Sequence, residues 1–213
     1  MRIESGSVFE KTFDHYLARI RQADPGPLKE RLGVIVENHD IVVPLFGKPY
    51  RVSDRDIMGP AGKRPPLDIC VILCKYMLIC PNESHTGQDW VTYKDFKDSG
   101  PLTTYFSHDV EQALAAAFSG RVGLMARAGE RLGGYGPEMN LAYDFSMRFD
   151  VLPRVPVIVL FNDADDEFPA KCTVLFERRA ERYLDTESLA MLGRNLFLVL
   201  QKEAEALNAP YGL

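Results

Sequence analysis

The sequence predicts an α+β fold: an antiparallel sheet built from two blocks of about three strands, covered by helices. Three observations lead there. The β-rich segments gather in two blocks, at 34–53 and 141–177, whereas a parallel α/β sheet would alternate single strands with helices. Residues 141–150, LAYDFSMRFD, put Leu, Tyr, Phe, Met and Phe at odd positions and Ala, Asp, Ser, Arg and Asp at even ones. That period of two gives one apolar and one polar face. Apolar stripes at helical spacing stand at both ends of the chain, and all 213 residues are read as a single α+β domain.

In chain order, Val8, Phe9, Phe13, Tyr16, Leu17 and Ile20 mark an amphipathic helix over 8–22, and DPGP at 24–27 stops it. A helical turn at 27–32 follows. VIV (34–36), IVVPLF (41–46) and PYRVS (49–53) read as a three-stranded meander, with Pro44 suited to a bulge or an edge. GPAGKRPP is a loop leading into a helix at 67–80 that is apolar nearly all round, hence central to the core. NESHTGQDW is a second loop. Helices at 108–118 and 121–132 follow, the latter closed by Gly133-Gly134. PVIVLF (156–161) shows no alternation and reads as a strand buried on both faces, paired with KCTVLFE (171–177). Asp185-Thr186-Glu187 caps a long last helix with a stripe of Leu189, Leu192, Leu196, Val199 and Leu200. The two β blocks form either one continuous antiparallel sheet or two small ones, and the single sheet is the favoured reading.

Composition narrows the function. A net charge of −5 without any block of five or more like charges argues against nucleic acid and against an anionic membrane surface. The longest apolar run, at 69–80, is broken by Lys75 and falls short of the ~20 residues of a membrane span. The N-terminus has no apolar signal region, and the four cysteines read as reduced thiols in a cytoplasmic protein. A small molecule or a protein is left as the partner. No cofactor and no oligomeric state is specified.

Several motifs recur together: Leu152–Pro156 (LPRVP), Val157–Phe161, Asp166–Ala170 (DEFPA), Val174–Phe176 (VLF) and Tyr183–Glu187. Upstream stand Thr86, Gly87 and Trp90, and the pair of strands from Phe46 to Val52. In this combination the chain resembles, over nearly its whole length, an uncharacterised family known as domain of unknown function 3786. The resemblance implies no established reaction. It implies a protein of anaerobic bacteria or archaea, with some relatives joined to iron–sulfur-binding segments, and hence a role in anaerobic redox or cofactor metabolism. Cys70, Cys74 and Cys80 do not belong to the shared pattern.

Four groups could carry chemistry. Asp163, Asp165, Asp166 and Glu167 could hold a hard cation, but no Gly makes the sharp turn and no Glu closes the loop as in a calcium-binding loop. The favoured reading is a hairpin turn with its carboxylates in water and Phe168 as anchor. Cys70, Cys74 and Cys80 with His85 match no common zinc or cluster spacing, and thiols among Ile, Val and Leu read as core, as does Cys172. His85 and Trp90, the sole tryptophan, stand in a Gly-bearing loop that either lines a ligand pocket or turns at the edge of the core. Asp144, Ser146, Arg148 and Asp150 form the polar row of the alternating strand: a site if covered, an ordinary outer face if solvated. No G-x-S-x-G, H-E-x-x-H, phosphate-binding loop or G-x-G-x-x-G is present. The expectation is a non-catalytic binding or accessory module that uses His85, Trp90, Asp144 and Arg148. The alternative is a metal-dependent enzyme or metalloprotein built on the acidic turn 163–167. A third reading is an interaction subunit with an exposed apolar patch.

Overall fold

The computed structural model describes residues 4–22, 24–37, 40–53, 55–139 and 142–209. Of the sequence predictions, the side chains of Val8 and Phe9, and Leu141 altogether, lie outside what it describes. The fold is α+β, with two antiparallel sheets of four strands among the described residues. The single continuous sheet is therefore corrected. Periodicity identifies strands but carries no information on which of them pair across a long helical insertion.

Helices α1 (Glu4–Ile20) and α2 (Pro25–Leu32) precede the first sheet. That sheet is a meander of β1 (Ile35–Glu37), β2 (Asp40–Leu45), β3 (Lys48–Val52) and β4 (Ile57–Met58). Pro44 keeps the β2–β3 register but lies past Val42, the last β2 residue that pairs with β1, so no ladder bond on that side is lost. Phe46 and Gly47 turn the hairpin with φ of 50° and 69°, the left-handed pair that suits a tight two-residue turn. A phenylalanine at such a φ is unusual, and burial of its ring offsets the strain.

Helix α3 (Leu67–Leu78) buries Ile69, Cys70, Ile72, Leu73, Cys74, Tyr76 and Met77, the central position its composition predicts. After β5 (Trp90–Thr92), a helical stretch runs from Gly100 to Phe118: α4 (Gly100–Phe106), a π-helical segment Ser107–Gln112 and α5 (Ala113–Phe118). The sequence reading started this stretch at 108. Gly100-Pro101 looks like a breaker, yet proline in the first turn has no N–H to lose and its φ suits a helix start. Helix α6 (Val122–Arg131) leads to the second sheet, of β5, β6 (Phe145–Leu152), β7 (Val155–Asn162) and β8 (Lys171–Glu177) in the order β5-β8-β7-β6. Helix α7 (Thr186–Asn208), capped by Asp185, packs on α3, α4, α5 and α6.

Phe145, Met147, Phe149, Val157, Val159, Phe161, Cys172, Val174 and Phe176 point from the second sheet into one apolar cluster shared with both sheets and all seven α-helices. β7 is buried at every position but its last, as predicted for a strand covered on both faces. The two sheets touch where β6 bulges between Asp150 and Leu152. The bulge takes the Val151 carbonyl out of the ladder, and the Phe46 N–H donates to it at 3.0 Å.

The LPRVP step is the β6–β7 turn, and it acts as a clasp. Arg154 donates from Nε and Nη2 to the Arg31 and Glu30 carbonyls, closing the C-terminus of α2. The fully buried Tyr76 hydroxyl donates to the Leu32 carbonyl at 2.6 Å and accepts from the Arg154 N–H at 3.2 Å. Tyr76→Phe leaves a buried donor and a buried acceptor without partners, so a loss of about 1–3 kcal/mol is expected from urea denaturation. A change below about 0.5 kcal/mol would show that water replaces the hydroxyl there.

Candidate functional site

The outer face of the second sheet, opposite the core, carries Ser146, Arg148 and Asp150 on β6, Pro156, Ile158 and Leu160 on β7, Thr173, Leu175 and Glu177 on β8, and Trp90 and Thr92 on β5. Among the described residues no α-helix contributes to the lining over Ile158, yet Ile158 is 1% exposed although it lies outside the core cluster. Two side chains and two loops close over it. Trp90 stands on one edge strand and Arg148 on the other, three strand spacings or about 14 Å apart. They lean inward until the guanidinium carbon lies 5.7 Å from the indole centroid. Tyr135, bridged to Arg148 by two backbone hydrogen bonds, brings its own ring to 5.6 Å of the same carbon. Both contacts fall within cation–π range.

Beneath this arch lies a cavity of about 330 Å³, whose lining includes Gly87, Trp90, Arg148, Ile158, Glu177 and Arg179. That volume suits a small ligand. Glu177 pairs with Trp90 in the ladder and is 2% exposed. Its Oε2 faces the Arg179 Nε as a close ion pair, and neither atom has an aligned hydrogen bond. Arg179 is held from its far end by the His85 carbonyl, 2.8 Å from Nη1. His85 in turn donates its N–H to the buried Tyr183 hydroxyl, and its ring packs edge-on against Tyr183. A Cβ on Gly87 would sit 2.6 Å from Glu177 Oε1, so only glycine lets the loop pass this close.

Of the expected ligand-binding residues, Trp90 and Arg148 therefore meet in one pocket. His85 reaches it only through its backbone carbonyl. Asp144 does not reach it: its carboxylate accepts from the Asp163 N–H, on the side of the acidic turn. The polar row resolves into neither simple alternative, since Asp144 and Asp150 are exposed while Ser146 and Arg148 are half-covered. Arg148 pairs with Asp150, at 3.3 Å, rather than standing between two aspartates. The sequence reading missed Glu177, Arg179 and Tyr135. For Glu177 a signal existed: in KCTVLFE it shares the outward phase of Thr173 and Leu175, but the following RRAER made it look like part of a solvated charged run.

The acidic turn has a different construction. Asp163 accepts from the N–H groups of Gly120 and Ala164, and Asp165 from those of Glu167 and Phe168. Those two bonds hold the Asp165 carboxyl below its ordinary pKa. Asp166 and Glu167 are exposed. Among the described residues no three or more His, Cys, Asp or Glu side chains converge as a metal-holding group. Phe168 is 67% exposed, so it does not anchor the turn; Asp165 does, as an Asx turn. Cys70, Cys74 and Cys172 are buried and Cys80 half-buried. Burial pushes the Cys70 thiol up to about 11 and Cys74 to about 12, and raises Cys80 and Cys172 as well. Among the described residues, no helix is long and apolar enough to cross a membrane.

The sequence profile of a family described as "Domain of unknown function (DUF3786)" matches residues 24–198. No curated protein and no solved structure matches the chain.

Proposed function

The chain belongs to the DUF3786 family, and from that premise we propose that it is a non-catalytic, small-molecule-binding accessory module whose site is the pocket under Trp90 and Arg148. The observation that supports this reading is Glu177. A carboxylate this buried is costly unless it is fully paired, and here Oε2 faces the Arg179 guanidinium while Oε1, on the cavity, accepts only a long 3.5 Å bond from the Arg179 N–H. Around it converge a second guanidinium, an indole and an apolar floor of Pro156 and Ile158. Such a set orients a ligand through a few polar groups and holds it by apolar contact. The metal-dependent alternative would need convergent carboxylates at 163–167, where two of the four are engaged by backbone N–H groups. An accessory role in anaerobic redox or cofactor metabolism is the setting that the family resemblance implies.

Trp90, as the sole tryptophan, supplies the test. Its emission and the thermal midpoint are followed against small neutral, cationic and anionic compounds in turn. At least one class is expected to shift both, the stabilisation reaching about 2.7 kcal/mol at a hundredfold excess over Kd. Silence of both signals across all three classes would overturn the reading.

A further inference from the structure

The site's charge and shape narrow the ligand further, on the reading that this pocket binds a small molecule. We infer that the natural ligand is a small monocarboxylate with an apolar or aromatic body, whose carboxylate takes the Arg148 guanidinium from its loose internal partner Asp150, which itself lies outside the cavity lining.

With Trp90 and Tyr135 against it, the Arg148 guanidinium is held in place, and its in-plane N–H edges remain to bind a planar acceptor. Asp150 Oδ1 takes those edges now, from Nη2 at 3.3 Å and from Nε at 3.4 Å. Both distances exceed the ordinary range for a charge-assisted bond, which is nearer 2.8 Å. Asp150 is also exposed, and its other oxygen already accepts from the Tyr135 hydroxyl at 3.1 Å. A loose, solvated internal partner is one that a better-placed carboxylate displaces, and Asp150 can then rest on Tyr135 alone.

The remaining charges choose among oxyanions. The Arg179 charge is spent on Glu177, and Glu138 adds a further carboxylate to the lining. Among the described lining residues only Arg148 faces the ligand as a cation without a tight partner, so one negative charge is matched and the second charge of a phosphate is opposed. Pro156 and Ile158 beneath and Trp90 beside the cavity supply apolar contact for the rest of the molecule. The 330 Å³ volume limits that body to about the size of one ring.

Phenylacetate, its neutral isostere phenylacetamide, and phenyl phosphate test this through Trp90 emission. Phenylacetate is expected to bind about tenfold or more tightly than either of the others, since a charged hydrogen-bonded contact separates it from the amide. Asp150→Asn removes the internal competitor and is expected to tighten phenylacetate several-fold with little change in thermal midpoint, because the pair it breaks is exposed. Arg148→Gln is expected to abolish the preference over phenylacetamide. Equal binding of acid and amide, stronger binding of phenyl phosphate, or unchanged or weaker binding to Asp150→Asn would each overturn the inference. Binding of a neutral or cationic compound in the broader survey, with none of phenylacetate, would also overturn it and leave the pocket itself standing.

Discussion

Replacing Arg179 with Met lowers the stability of the chain by about 3–5 kcal/mol, although the substituted side chain is nearly as long and its stem packs as before. The effect lies in what is left behind. Glu177 is 3% exposed at its side chain and Arg179 15%, so the carboxylate keeps its burial and loses its counter-charge. The His85 carbonyl also loses the donor that fixes the 82–89 loop against the sheet. Changing Glu177 to Gln in the Arg179→Met background recovers a large part of the loss, because the residual penalty is that of a neutral amide. Arg178 provides the control. It forms an ion pair with Asp89, but both side chains are about half exposed, and Arg178→Met should cost no more than about 1 kcal/mol. Guanidinium denaturation of the three variants checks the pattern; similar costs at 178 and 179 would show that Glu177 is hydrated in solution.

The second large effect lies in the core beside α7. Phe106 is 1% exposed and stacks on Tyr93, with centroids 4.4 Å apart and planes 6° from parallel. It also meets Phe176 at 5.8 Å. Phe106→Ala is expected to cost about 3–5 kcal/mol. Across from the ring lies Gly193, where a Cβ would come within 2.5 Å of Phe106 Cε2. Gly193→Ala alone therefore overpacks the site, at about 1–3 kcal/mol, because the stack prevents the ring from yielding. In the double variant the methyl group enters the space the ring has left, and the two costs fall short of their sum by about 1 kcal/mol or more. Strict additivity in urea denaturation would mean that the ring moves aside freely.

The sequence carried the elements well where one residue pattern had one structural meaning. The unbroken apolar run of β7, the Asp185 cap and the stripe of α7 are all where periodicity and capping chemistry put them. β6 begins at Phe145 rather than 141, although the alternation continues upstream. Past Asn162 the partner strand has turned away, and the Asp144 N–H goes to the Asn162 side chain in place of a ladder. β4 and β5, of two and three residues, are too short to show any period. The site was half legible for the same reason. Trp90 and Arg148 stood out as a lone indole and a charged residue on an alternating strand. Their meeting, and the burial of Glu177 between them, depends on β5 joining the second sheet at the edge opposite β6, and local sequence does not record a strand order.

The arch over the outer face has a mechanical consequence. Adjacent strands rotate by roughly 20–25° relative to one another, so between β5 and β6 the sheet turns through some 60–75°. Trp90 and Arg148 meet across that full rotation, which makes their separation a gauge of how strongly the sheet is coiled. The coiling is set from underneath by Val157, Val159, Val174 and Phe176, which do not line the pocket but fill the opposite face. Trimming any of them lets the strands flatten and draws the indole and guanidinium apart. The two faces of this sheet are thus one spring, loaded by the core and read out at the binding site.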